Sequence, residues 1–279
     1  MTPTRVLAIG GSDSGGGAGI EADIKTVTAL GGYAMTAITA LTAQDTKGVH
    51  GVFPVAPDFV ARAIRLVSAD LGVDAIKTGM LGSAETVAAV AEALAEVAPE
   101  VPLVVDPVIA STSGTTLLAD AARAVLLGRL MPMAALITPN RAEAALLSGL
   151  AIETQADAVA AGQALCARGA RAVLVKGGHF DGDMAVDFLV AGGEVAEFGR
   201  PRVVSRHTHG TGCTLASAIA SGLGAGLSLR EAVGQARDFL HAALLAAPGF
   251  GAGHGPLGHA AAAAPRARKP GACKPKALA

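Results

Sequence analysis

The chain has 279 residues, of which 51% are hydrophobic, enough for one large α/β domain or two smaller ones. A formal charge of −1 argues against nucleic acid or an anionic membrane as the main partner, and 3% aromatics with no Trp argues against base-stacking platforms. The three cysteines, Cys166, Cys213 and Cys273, form no CxxC pair, so neither a disulfide framework nor a cysteine zinc site is expected, and a soluble cytoplasmic protein is.

Residues 6–9 read as a buried strand that runs into the glycine-rich stretch from Gly10 to Gly19. A helix is expected next, with Ile20, Ile24, Val27 and Leu30 on one face and Gly31-Gly32 as its stop. Gly17, Gly19 and Ala22 fit a loose GxGxxA dinucleotide fingerprint, but the loop is longer than that fingerprint wants after its strand. No GxxxxGK[ST] loop occurs, which argues against a P-loop kinase. Residues 33–41 read as a second strand, ending at Thr42-Ala43-Gln44-Asp45-Thr46. Gln44 is either a ligand-reading amide, which donates and accepts together, or a surface loop residue. An amphipathic helix is expected over 56–69, a short strand over 73–77 leading to Thr78-Gly79-Met80-Leu81, and a helix over 84–97. Met80 is most simply a core filler.

Residues 101–105 read as a buried strand ending at Asp106-Pro107-Val108. An acid at the carboxyl end of such a strand lies where open α/β sheets bind ligands. Ser111-Thr112-Ser113-Gly114 reads as a polar turn and 119–127 as a helix. A strand over 134–137 ends at Thr138-Pro139-Asn140, and Arg141-Ala142-Glu143 opens another helix. Glu143 is either a first-turn acid favoured by the helix dipole or a holder of a metal or its water. A helix over 156–168 buries Cys166. The strand over 172–175 delivers Lys176-Gly177-Gly178-His179, where Lys176 is either a phosphate contact or a solvated turn lysine. Residues 184–190 and 194–198 flank Ala191-Gly192-Gly193 as a β-hairpin.

Ser205-Arg206-His207-Thr208-His209-Gly210-Thr211-Gly212-Cys213-Thr214 then leads into an apolar helical run from Leu215 to Ala220. Such a loop gathers unpaired N–H groups and the positive end of a helix dipole at one point, a ready anion site. A cysteine at that mouth is expected to have a lowered pKa and to serve as acid, base or nucleophile. The plainer alternative is a Gly-rich loop before a core helix. His209 is expected to brace the loop. Another helix is expected over 229–246. The composition shifts to Gly, Ala, Pro, Arg and Lys from Pro248, so one domain over 1–259 and a disordered basic tail over 260–279, carrying Cys273, are expected. Alternating strands and helices predict one α/β sandwich with a mainly parallel sheet.

Taken in order, the motifs from Ala8 to Asp23, Thr39 to Thr46, Ile76 to Met80, Asp106-Pro107-Val108, Thr138 to Glu143, Val175 to His179 and His207 to Thr214 resemble the hydroxymethylpyrimidine/phosphomethylpyrimidine kinases of thiamine biosynthesis, within the ribokinase-like superfamily. The resemblance spans about residues 5–249. It implies a ribokinase-like three-layer sandwich, a homodimer, ATP and Mg²⁺. It implies phosphorylation of 4-amino-5-hydroxymethyl-2-methylpyrimidine and then of its monophosphate. Pyrimidine contacts carry over to Gly11, Asp23, Gln44, Met80, Val108 and Cys213. Nucleotide and phosphate roles carry over to Asp106, Asn140, Lys176 and the loop Gly210, Thr211, Gly212 and Cys213, and the metal role to Glu143. The superfamily usually has Asp where this chain has Cys213, as some pyridoxal kinases also do, which keeps pyridoxal as a side substrate. On this basis Cys213 is expected to orient the substrate hydroxyl and take its proton late, and Gly15 to Gly19 to act as a mobile flap. The rivals are a dinucleotide oxidoreductase, with Asp45 as its ribose acid, and a non-catalytic binding protein.

Overall fold

The computed structural model describes residues 2–263 except 111–113, 115, 116, 179 and 181. The expected turn at Ser111-Thr112-Ser113, His179, and tail residues 264–279 with Cys273 lie outside the described residues.

Among the described residues, strands β1 (Arg5–Asp13), β2 (Tyr33–Gln44), β3 (Val49–Pro54), β4 (Ala75–Thr78), β5 (Leu103–Val105), β6 (Leu136–Ile137), β7 (Ala172–Val175), β8 (Met184–Ala191) and β9 (Glu194–Pro201) form one sheet. Its order is β3-β2-β1-β4-β5-β6-β7-β8-β9. The strands from β2 across to β7 pair in parallel, while β3 at one edge and the hairpin β8–β9 at the other are antiparallel. The parallel strands are apolar runs because helices cover both their faces. Val6, Leu7, Ala8 and Ile9 are all fully buried.

The helices are α1 (Gly19–Ala29), α2 (Pro57–Leu71), α3 (Ala84–Val97), α4 (Asp120–Val125), α5 (Arg141–Ser148), α6 (Gln155–Ala167), α7 (Thr211–Gly224), α8 (Leu229–Leu245) and α9 (His259–Ala263). Successive strand residues face opposite sides. Leu7 and Ile9 therefore join a core with Ile64 of α2, Leu94 of α3 and Leu165 of α6. Val6, Val104 and Leu174 join the opposite core with Val27 of α1, Ile219 of α7 and Leu240 of α8. The result is a three-layer α/β sandwich with a mainly parallel sheet, as expected.

Two boundaries differ from expectation. Strand β3 has no amphipathic pattern to announce it, since Gly51 and Pro54 interrupt it and five of its six residues are exposed. Pairing with β2 makes it a strand. Helix α9 carries ordered chain to Ala263, past the expected boundary at 259.

Two features of the fold position the site. The carboxyl ends of β1, β4, β5, β6 and β7 deliver Asp13, Met80, Asp106, Asn140 and Lys176 to one edge of the sheet, the usual ligand edge of open α/β folds. Helix α7 is buried from Thr214 through Gly222, so its first turn is presented by a rigid pillar. Truncating Ile219 of that pillar to alanine costs about 2–5 kcal/mol.

Candidate active site

Helix α7 starts at Thr211, earlier than expected, so Thr211, Gly212 and Cys213 form its first turn. The start is set by Gly210 at φ +88°, a left-handed conformation that suits glycine. A side chain there would run into the backbone of Gly17. Thr211 N–H leans on Thr208 O at 3.3 Å, and Thr214 N–H bonds Gly210 O at 2.9 Å. No side chain caps the helix, and among the described residues the N–H groups of Gly212 and Cys213 have no bonded acceptor. Two free donors and the dipole thus converge where an anion would sit.

Beside that turn lies the Lys176 cluster. A β-carbon on Gly212 would stand 3.2 Å from Lys176 Nζ and 3.3 Å from Asp106 Oδ2, so loop and lysine form one site. Lys176 Nζ is 2.9 Å from Asp106 Oδ1 and 3.8 Å from Glu143 Oε2. Thr138 donates to the same Asp106 oxygen at 3.0 Å. Burial would lower the Lys176 pKa, but Asp106 and Glu143 outweigh it and hold the ammonium protonated. The solvated-turn alternative for this lysine is therefore excluded.

Asn140 and Glu143 cap α5 reciprocally. Asn140 Oδ1 accepts from Glu143 N–H at 2.9 Å, and Glu143 Oε2 accepts from Asn140 N–H at 2.7 Å. Glu143 is thus the first-turn helix acid, and it also faces Lys176. Burial raises its carboxyl pKa, against the pull of Lys176 and with the help of Asp106. Among the described residues no three His, Cys, Asp or Glu side chains form a cage for a metal. Two carboxylates around one ammonium leave negative charge in a buried place, a donor set that suits Mg²⁺, which takes one or two carboxylates plus phosphate and water.

Cys213 departs from expectation. Its thiol is pushed up to about 11, chiefly by burial, with Asp23 and Asp106 reinforcing and Lys77 and the N–H of Gly19 opposing. The helix dipole does not prevail over desolvation, and the group is a neutral thiol at neutral pH. Asp23 has partners within the fold. Both its oxygens lie 2.8 Å from Lys77 Nζ, and Ser217 donates to it at 2.6 Å. Asp23, Lys77 and Ser217 are each fully buried, so Asp23 ties α1, β4 and α7 together, and its Oδ2 keeps one lone pair that these two partners do not take.

The remaining expected substrate contacts stand around the mouth. A β-carbon on Gly11 would lie 3.0 Å from Met80 Sδ, so the glycine admits the thioether. Met80 and Val108 are half-buried at the ends of the adjacent strands β4 and β5. Gln44 is also half-buried, with its amide 3.1 Å from His209 Nε2, which rules out a solvated loop residue. His209 braces, as expected.

The glycine-rich first loop is closed to a dinucleotide. Asp13 already accepts the N–H groups of Gly15, Gly17 and Ala18 at 2.8, 3.0 and 2.8 Å, taking the donors a pyrophosphate would need. Gly15 to Gly19 is tied down by these bonds, and Gly17 packs against His209.

Sequence reasoning missed the segment before α9, which straps the site. Gly255 O accepts from His209 N–H at 3.2 Å, Thr46 O accepts from His254 N–H at 2.8 Å, and His259 Nε2 lies 2.8 Å from Thr214 Oγ1. The available signal was the spacing of Gly251, Gly253, Gly255 and Gly258, each crowded against a neighbour.

Comparison with known proteins agrees with this geometry. Residues 13–258 match the model of the family described as phosphomethylpyrimidine kinase. The chain is 47% identical over 259 residues to the hydroxymethylpyrimidine/phosphomethylpyrimidine kinase of Streptomyces coelicolor, covering 93% of this chain and 95% of that one. It is 48% identical over 258 residues to the thiamine biosynthesis bifunctional protein ThiED of Geobacter sulfurreducens, covering 92% of this chain but only 52% of that longer protein. Among solved structures it resembles the pyridoxal kinase of Staphylococcus aureus in complex with AMP-PCP, with a TM-score of 0.86, 32% identity, and coverage of 94% and 95%.

Proposed function

The chain belongs to the phosphomethylpyrimidine kinase family, and on that premise we propose that it is an ATP-dependent kinase acting first on 4-amino-5-hydroxymethyl-2-methylpyrimidine and then on its monophosphate, in thiamine biosynthesis. The observation that carries this reading is the pair of free N–H groups at Gly212 and Cys213, set against the Lys176 ammonium. It forms a cradle for a phosphoryl group in transit.

The substrate hydroxymethyl oxygen attacks the γ-phosphorus of ATP as the bridging bond to ADP breaks. Such transfers are loose, with charge spread over the equatorial oxygens, so the chief demands are positioning and charge stabilisation. The amides of the α7 first turn hold the equatorial oxygens, and Lys176 balances their charge. Asp106 and Glu143 would hold Mg²⁺, which when bound would neutralise phosphate charge. Because bond formation is loose, the alcohol proton leaves late, passing to an oxygen of the phosphoryl group as the new O–P bond forms, and needs no base beforehand. Cys213, a neutral thiol, orients the hydroxyl. The second step needs still less, since a phosphate oxygen is already anionic. Gly11, Gln44, Met80 and Val108 line the pyrimidine side, and Asn140 and Thr211 the nucleotide side.

We take the chain through α9 as one kinase domain, four residues beyond the boundary expected at 259, working in the cytoplasm as a homodimer. Among the described residues no helix is long and apolar enough to cross a membrane. For pairing, Leu41 and Phe53 lie opposite each other on β2 and β3 and are 47% and 69% exposed, an apolar edge suited to a second copy.

The test is ADP release from ATP with the pyrimidine alcohol, its monophosphate and pyridoxal as separate acceptors. Release with the first two is expected. Activity on pyridoxal alone would reassign the substrate, and no release with any acceptor would overturn the kinase reading.

A further inference from the structure

Asp13 and His209 are neither phosphate donors nor expected substrate contacts, yet they meet where the two glycine-rich loops join. Asp13 is 4% exposed. Its Oδ1 accepts from Gly15 N–H at 2.8 Å, and its Oδ2 from Gly17 and Ala18 N–H at 3.0 and 2.8 Å. His209 Nε2 is 2.8 Å from the same Oδ2. Burial works against the charge on Asp13, but His209 and the N–H groups of Ala18 and Gly15 outweigh it and hold the carboxyl below its usual range. A carboxylate has no hydrogen to give, so His209 Nε2 carries one and donates it.

That assignment determines Gln44. With Gln44 Nε2 toward His209 Nε2, 3.1 Å away, two donors face each other. On the other side, Thr42 Oγ1 directs its hydrogen to Ser12 O at 2.9 Å and so meets Gln44 Oε1, 3.2 Å away, with a lone pair. Both conflicts vanish when the carboxamide is turned end for end, since hydrogen-bond partners decide which end is oxygen. The oxygen then shares the single Nε2 hydrogen of His209 with Asp13 Oδ2 in a three-centre bond, and the nitrogen donates to Thr42.

We propose that Asp13 and His209 are positioning residues that lock Gln44 in this turned orientation, leaving one amide N–H and one oxygen lone pair to read a ring nitrogen and its adjacent exocyclic amine on the substrate. The proposal rests on the pyrimidine-kinase reading for the ligand, and on the geometry alone for the lock.

Two measurements on the full chain test it. Calorimetry compares the aminopyrimidine alcohol with an analogue bearing hydrogen in place of the amine. His209→Leu is expected to reduce the preference for the amine about tenfold, the worth of one lost hydrogen bond, and His209→Gln, which still donates an N–H, to restore it. Equal weakening of both ligands would show a merely structural role and overturn the proposal. Long-range ¹⁵N NMR of the ligand-free protein is expected to show His209 protonated at Nε2. A bare Nε2 would overturn the lock whatever the substrate. Failure of the unsubstituted protein to bind either pyrimidine would instead count against the substrate reading, with the imidazole signal still deciding the lock.

Discussion

Replacing Gly212 by alanine separates the anion site from the stability of the helix that forms it. Gly212 lies in the first turn of α7, where alanine is conformationally compatible. The unfolded-chain effect favours alanine by about 0.4–1 kcal/mol and the crowding of the new methyl opposes it, so Tm is expected to stay within about 4 °C of the parent's. The new methyl would stand 3.2 Å from Lys176 Nζ and 3.3 Å from Asp106 Oδ2, closer than ordinary packing allows, so the lysine tip must give way. It would also fill the space where a phosphoryl oxygen must approach both Nζ and the Gly212 N–H. Losing one preorganised donor of this kind costs about 10²–10³ in turnover, or about 2.7–4 kcal/mol. The assay is ATP-dependent phosphorylation at saturating pyrimidine, with calorimetric unfolding of the same sample. A folded, equally stable variant with unchanged kcat/KM for ATP would refute the placement of the phosphoryl group at this helix start.

Three further outcomes are expected. Cys213→Ala lowers kcat by less than the roughly 10²–10⁴-fold of a lost general base, because the thiol, at about 11, is protonated at neutral pH; an inflection in the parent enzyme's pH–rate profile, abolished by the substitution and well below pH 9, would contradict this. Lys176→Met lowers kcat/KM for ATP by about 10²–10³, while the pyrimidine dissociation constant, read by calorimetry, stays unchanged. Burial lowers the His259 pKa from 6.5 to about 4, so the unfolded chain takes up its proton first. The His259 contribution to stability is flat above pH 6.5 and falls toward pH 4, at a limiting slope of about 1.4 kcal/mol per pH unit, and urea midpoints of His259→Asn should lack that part of the fall.

What the sequence made legible follows from how local each cause is. The left-handed turn at Gly210, the caps at Asn140 and Glu143, and the strand ends at Asp106 and Lys176 are each set within a few residues, so their places could be read from motif and spacing, while their ligand roles came only from the resemblance. Strand β3 escaped because its partner, not its own pattern, makes it a strand. The partners of Asp23, Lys77 and Ser217, were not legible because they lie 54 and 194 residues away. The strap ahead of α9 was hidden in a Gly- and Ala-rich composition that resembles a tail.

Cys213 shows how a local rule and a distant one compete, and which prevails here. A thiol at a helix start gains from the dipole, an effect of about 0.3–1 kcal/mol at exposed sites. Against it stand desolvation and the charges of Asp23 and Asp106, and together they move the thiol in the opposite direction. A carboxylate at this position would add a third negative charge beside Asp23 and Asp106, close to the incoming phosphates. A neutral thiol avoids that repulsion and still presents a polarisable sulfur to the alcohol. Such a group is sufficient when the transition state is loose and the second acceptor is already an anion. On the proposed reading, the site must accept an alcohol and then a phosphate in the same place, and a neutral group beside the acceptor suits both.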